Sequence, residues 1–385
     1  MNSTATRDAF PDVLRGFALL GIALVNVPYL SIDTVNAAEG ADLTQASNVM
    51  SAFIVMSLFQ AKFYLLFSFL FGYSAHYVLK NERANTRRWF ARSVGLIILG
   101  VLHFTFLFHG DILFVYGVLG LFLTVLYFKP DSQIRSWTKG IFVTTSIVFA
   151  ALALLTLVGE FTSQAEGEVL PNEIFTSNLD ATLLSGSFLE TVGPRVELWL
   201  FAAPSGFILQ GPFVFAAFLV GILVARKNGF VKVNPQIMRK LVIWGLSLGL
   251  PLQVLAAGIQ IFNSTSVDSI GIYLVSLAIN FLSAPLLSAA YVALLWRLHK
   301  KIRLGILAAA GRMSLTVYLS ESLIFSILFS AWGFELFGKL GVAEVTMIAV
   351  LTWLSLAALS AIYLRIFAKG PMENLLSGFS KIFSR

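Results

Sequence analysis

The sequence predicts an all-α, polytopic integral membrane protein of about ten transmembrane helices, forming a single integral membrane domain over residues 1–385. Three observations carry that expectation. Apolar residues make up 57% of the chain and charged ones only 12%, which leaves long runs without charge and excludes a soluble domain. Those runs reach the ~20 residues that a helix needs to cross a ~30 Å hydrocarbon core. Lys and Arg gather in every second connection, so the net charge of +7 reads as membrane topology and calls for no nucleic acid. Cysteine is absent, which excludes disulfides, thiolate chemistry and Cys-ligated metals.

In order, the apolar runs fall near 13–32, 50–79, 93–109, 111–128, 138–159, 196–225, 240–262, 268–297, 306–331 and 343–368. The first, with Arg7 and Arg15 before it and Ala37-Ala38 after it, has the outline of a signal peptide but is read as a retained helix. Several runs exceed the bilayer requirement, so tilt or extension beyond it is expected. The stretch 93–128 is the tightest, because ~1.5 Å per residue gives about 54 Å of helix, less than two crossings. Its turn at His109-Gly110-Asp111 is therefore expected to dip into the bilayer edge. Irregular backbone there has to be buried in protein or line a wet cavity.

The connections fix an expected orientation. Lys and Arg occupy the N-terminal part through Arg15, then 80–92, 129–139, 226–240, 297–312 and the stretch from Arg365 onward; the alternate connections hold only Arg195 and Lys339. Both termini are thus expected in the cytoplasm, with the His109 turn facing outward. The longest outer connection, about 160–195, carries Glu160, Glu166, Glu168, Glu173, Asp180 and Glu190, and its length suits a functional lid or a disordered segment. In the tail, about 370–385, Leu375, Leu376, Phe379, Ile382 and Phe383 oppose Lys381 and Arg385, as in an amphipathic helix on the cytoplasmic surface.

Each ionisable residue at membrane depth is a candidate functional residue, since burying it is expensive. His103 could serve as a general base oriented by Asp111, with His109 beside them; the structural alternative makes Asp111 a cap of the following helix and leaves the histidines at the headgroups. Arg15 and Asn26 share a face of the first helix about 16 Å apart, so a phosphate and then a carbonyl could bind along one vertical channel. Their structural alternative is a positive-inside anchor and an interhelical hydrogen bond. Lys62, inside the second run, could meet an anionic substrate or form an ion pair. Glu321, about mid-membrane on a face shared with Ser314 and Tyr318, is its expected partner. Tyr116 and Tyr318 complete the candidate binding residues. His103 and His109 do not share a helical face and no HExxH occurs, so no metal site is expected; GxSxG, P-loop and Rossmann fingerprints are also missing.

Several stretches together resemble one family: Asp12-x-x-Arg15-Gly16-Phe17-Ala18 with Asn26, Lys62-Phe63 to LFSFLFGY, the GVLH to GDIL hairpin, GRMSLTVYL, and Gly370-Pro371-Met372-Glu373. In the same order they look like the YeiB family of bacterial membrane proteins, defined by domain of unknown function 418. That family is similar to the transmembrane acyltransferase superfamily. The resemblance implies an acyltransferase-like bundle in a bacterial cytoplasmic membrane, with acetyl-CoA or another acyl-CoA as donor. The acceptor it implies is a hydroxyl or amine of a small molecule, glycan or lipid of the envelope. Membrane lipids are further partners, and a homodimer is possible on this reading. Asn26 stands where the acyltransferase-3 pattern has a histidine, and an amide cannot act as a base. Glu321 and Val317 stand where glutamine and asparagine are expected. The base therefore falls to His103, with Asn26 or Lys62 facing the developing oxyanion. Two rivals remain: a proton-coupled transporter or exporter using Lys62, His103, Asp111 and Glu321, and a non-catalytic membrane scaffold.

Overall fold

A computed structural model describes residues 9–165 and 177–382. Among them every regular element is helical: α1 (Phe10–Ser31), α2 (Ala46–Leu58), α3 (Lys62–Leu79), α4 (Thr86–Phe106), α5 (Leu113–Tyr127), α6 (Asp131–Ala165), α7 (Asn178–Ser185), α8 (Val192–Leu209), α9 (Gly211–Arg226), α10 (Pro235–Trp244), α11 (Leu250–Phe262), α12 (Ile270–His299), α13 (Gly305–Arg312), α14 (Ser314–Phe329), α15 (Val342–Tyr363) and α16 (Pro371–Ile382). Among the described residues seven helical stretches are long and apolar enough to cross a membrane, or up to nine if each bent pair counts as one span. The chain is a multi-pass membrane protein. Each of the ten apolar runs is helical, but α5 has only 15 residues and falls short of a full span.

The runs differ from uninterrupted helices where polar backbone is freed. The second run breaks between α2 and α3 at Ala61, whose φ is +65°. Within the fourth quarter of the chain, α13 and α14 meet at 84°, and α8 bends 53° against α9. Between α10 and α11 the chain passes through a π-helical turn over Gly245–Gly249. Such irregular backbone is stable at membrane depth only when protein supplies its hydrogen bonds, and the α2–α3 break shows how. Tyr291 donates to the Leu58 carbonyl at 2.8 Å and Ser288 to that of Lys62 at 2.9 Å.

α1 lies at the centre, starting on Pro11, whose fixed φ and missing N–H suit a first turn, and packing against α3, α13, α14 and α15. Its close approach to α13 needs glycine on both sides. A Cβ on Gly16 would stand 2.0 Å from the Leu307 carbonyl oxygen, and one on Gly311 would stand 1.8 Å from that of Asp12. The tail is an amphipathic helix, α16, that buries Leu376 and lies against α4 and α14. Glu373 accepts from the backbone N–H groups of Leu315 (2.7 Å) and Thr316 (3.2 Å) and from the Thr316 hydroxyl (2.6 Å), so it caps α14 from a distance. The outer connection contains the end of α6, α7 and the start of α8. Its Glu166, Glu168 and Glu173, like Arg7, Phe383 and Arg385 at the ends, lie outside the described residues.

Candidate functional site

α4 ends where His103 offers its carbonyl to both Leu107 and Phe108, and the chain turns at His109-Gly110-Asp111 into α5. The turn brings His103 and Asp111 together: Nδ1 and Oδ1 are 2.8 Å apart and both side chains are wholly buried. The second oxygen of Asp111 accepts from the Phe114 N–H at 2.6 Å. One carboxylate thus caps α5 and orients an imidazole, and the catalytic and structural readings of Asp111 describe its two oxygens. Gly100 makes room for this, since a Cβ there would lie 2.3 Å from the Phe114 nitrogen and 2.6 Å from Asp111 Oδ2. Nε2 of His103 has no hydrogen-bond partner. The Tyr318 ring packs against the imidazole with centroids 5.0 Å apart.

A largely apolar cavity of about 470 Å³, with a few polar groups in its wall, opens beside this pair. Of the sequence-expected residues Asn26, His109 and Asp111 line it, and His103 does not. Asp111 reaches the cavity through its backbone, while its carboxylate and the imidazole both lie sealed behind the wall. Sequence reasoning missed Gln60, Tyr64, Trp199 and Tyr273 in the same wall. Gln60 had a signal, because a polar pair Gln60 and Lys62 interrupts an apolar run and marks the helix break. Arg195, read only as a stray outer cation, is buried and donates to the Phe106 carbonyl at 3.1 Å and to the Thr191 hydroxyl at 2.7 Å, holding the end of α4. His109 stands in the cavity wall with its ring edge-on to Tyr29, centroids 6.3 Å apart.

Two expectations are corrected. Lys62 and Glu321 are not partners. The Lys62 ammonium donates to the Met56 carbonyl at 2.9 Å and to Gln253 at 2.5 Å, and Gln253 in turn donates to the Asn280 carbonyl and the Ser283 hydroxyl, each at 2.8 Å. Lys62 therefore caps the broken end of α2, where carbonyls are unpaired and a cation is favoured. Both carboxyl oxygens of Glu321 are buried without a hydrogen bond among the described residues. Nor does one open channel join Arg15 to Asn26. Between them Phe17, Phe59, Phe63 and Tyr291 pack together, with centroids 5.0 to 5.9 Å apart, and the Phe63 ring fills the space beside Gly21. Phe59 and Phe63 form part of the cavity wall. Arg15 lies beyond this layer, bonded to Asp12 and Ser74 and within electrostatic reach of Arg92. Tyr116 is also outside the cavity, its hydroxyl held by Ser68 at 2.7 Å and the Tyr64 carbonyl at 3.1 Å.

Residues 224–379 match the family described as Protein of unknown function (DUF418). The chain is also similar to Uncharacterized protein YxaH of Bacillus subtilis, 26% identical over 94% of this chain and 92% of that one. Uncharacterized protein YeiB of Escherichia coli is 28% identical over 96% of this chain and 95% of its own. The resemblance to the YeiB-like DUF418 proteins holds. A third relative, an uncharacterized 39.9 kDa protein of Bacillus acidopullulyticus, is 27% identical over 94% of this chain and 90% of its own. No solved structure matches significantly. The DUF418 match begins within α9, so it takes in α14 with Tyr318 and Glu321 and leaves the His103–Asp111 hairpin in the preceding part of the chain.

Proposed function

We propose that this chain is a ten-span acyltransferase of the bacterial cytoplasmic membrane, moving a short acyl group from acyl-CoA to a hydroxyl or amine of an envelope molecule. The observation that carries this reading is the buried His103–Asp111 pair, sealed directly behind the wall of a cavity that Asn26 and His109 also line. In the proposed step the acceptor O–H or N–H gives its proton to Nε2 of His103, which has no hydrogen-bond partner among the described residues, as the acceptor attacks the thioester carbonyl; Asp111 holds Nδ1–H and balances the imidazolium charge. The Asn26 amide donates to the developing oxyanion, and the CoA thiolate leaves. Arg15 and Arg92 at the opposite, basic end would hold the CoA phosphates. The packed aromatic layer then has to part for the acyl group to pass, and Phe63 is the ring that has to move.

That same layer favours a second reading. A cavity closed on one side by that layer, in a bundle that also buries the Glu321 carboxyl without a hydrogen-bond partner among the described residues, also suits a proton-coupled transporter or exporter. Acetyl-CoA binding by the purified full-length protein separates the two. The acyltransferase reading expects saturable binding that Arg15→Gln weakens roughly tenfold, as for loss of charge-assisted phosphate contacts, with the protein still monodisperse. No binding by the parental protein would leave the transporter or a non-catalytic scaffold.

A further inference from the structure

A second cavity, of about 750 Å³, lies among α3, α6, α9, α10 and α12 and is used by neither reading above. Its volume is that of a site for a sizeable ligand. Its inner wall is apolar, with Leu65, Phe213 and Pro285, whereas its mouth carries Arg135, Lys139, Lys227 and Lys232. These four belong to the first turns of α6, the residue after α9 and the approach to α10, so they converge at one end of the bundle. No Asp or Glu lines the cleft. The neighbouring Arg226 is paired with Asp131 at 2.8 Å, but among the described residues none of the four has an ion-pair partner. From Val224 at the mouth to Phe213 the wall runs about 16 Å along α9. The rim is open sideways and apolar: Val143 is 53% exposed and Ile237 53%.

We propose that this cleft holds one anionic phospholipid of the surrounding membrane. Its phosphate sits among Arg135, Lys139, Lys227 and Lys232, and an acyl chain runs along α9 toward Phe213. A basic mouth without counter-charges at the end of an apolar groove matches the division between an anionic headgroup and its chain. The sideways rim on α6 and α10 lets a lipid enter from the bilayer without leaving it, a route that a water-soluble acyl donor does not need. This inference is independent of acyl transfer.

The test is native mass spectrometry of the full-length protein after incubation with phosphatidylglycerol, phosphatidylcholine or palmitoyl-CoA. One phosphatidylglycerol per chain should survive stripping of the detergent, and phosphatidylcholine should be lost. Replacing the four exposed cations by Gln should lower retention on the order of fivefold per charge removed. Ala217→Phe, which narrows the cleft without touching charge, should also release the lipid. Equal retention of phosphatidylcholine, unchanged retention in both variants, or displacement of the lipid by an equimolar amount of palmitoyl-CoA would each overturn the proposal.

Discussion

Asp111 illustrates how one side chain can carry structure and chemistry together, one oxygen capping α5 and the other holding His103. Gly100→Ala should disturb both roles at once, because its methyl group displaces Asp111 and Phe114 while α4 stays helical. The expected result is a loss of roughly 1 kcal/mol or more of thermal stability, the scale of a lost cap, and loss of whatever activity needs the pair. Lys62 and Glu321, each buried and each far from charge compensation, should behave independently. Lys62→Met leaves Gln253 and the Met56 carbonyl short of a donor and should cost about 1–3 kcal/mol. Adding Glu321→Gln should change stability additively to within about 0.5 kcal/mol, read by thermal melting; a rescue in the double variant would show that they do meet. At the end of α1, outside the spanning helices, burial raises the Glu39 carboxyl from 4.5 to about 7, against a donated hydrogen bond from Gln260. A raised carboxyl favours the folded state below about 4.5 and loses that contribution as pH rises through about 7. Melting temperature should therefore fall between those pH values, and Glu39→Gln should flatten the slope.

At the scale of elements, the ten apolar runs were legible because periodic burial and lack of charge are properties of composition. The breaks were not. Ala61 adopts positive φ in a sequence that shows only Gln60 and Lys62 as a hint, and the hydrogen bonds that stabilise the break come from α12 and α11, more than a hundred residues away. The same long-range origin explains the mistaken Lys62–Glu321 pairing, since two opposite charges at membrane depth invite pairing and Gln253 gives no such sign in the sequence. His103 and Asp111 were legible because a short hairpin forces neighbours together, whereas the sealing of both side chains behind the cavity wall depends on how α5 packs. Glu373 belongs to a motif, Gly370-Pro371-Met372-Glu373, whose physical basis is the cap it gives α14. Glu373→Ala should cost about 1–2 kcal/mol and expose α16 to limited proteolysis; unchanged protection of the tail would show that Leu376 and Phe379 suffice to hold it.

At the scale of the molecule, the chain has a basic end, formed by 80–92, 129–139, 226–240 and 297–312, and an opposite end with the His109 turn and the cavity beside it. Ten spans with both termini cytoplasmic would place the basic end inside. A protease tag at either terminus should then be protected in intact cells and one inserted at Gly167 cleaved; cleavage at the C-terminus would contradict an even count. The central claim is acyl transfer served by the His103–Asp111 pair, and the most direct measurement is the transfer rate from labelled acetyl-CoA in the parental protein and in His103→Gln. The variant keeps size and hydrogen bonding but removes the basic nitrogen that takes the acceptor's proton. It should bind acetyl-CoA normally and transfer roughly 100-fold more slowly, the scale of a lost acid–base contribution. Transfer at the parental rate in His103→Gln, with His109→Gln equally active, would contradict the account.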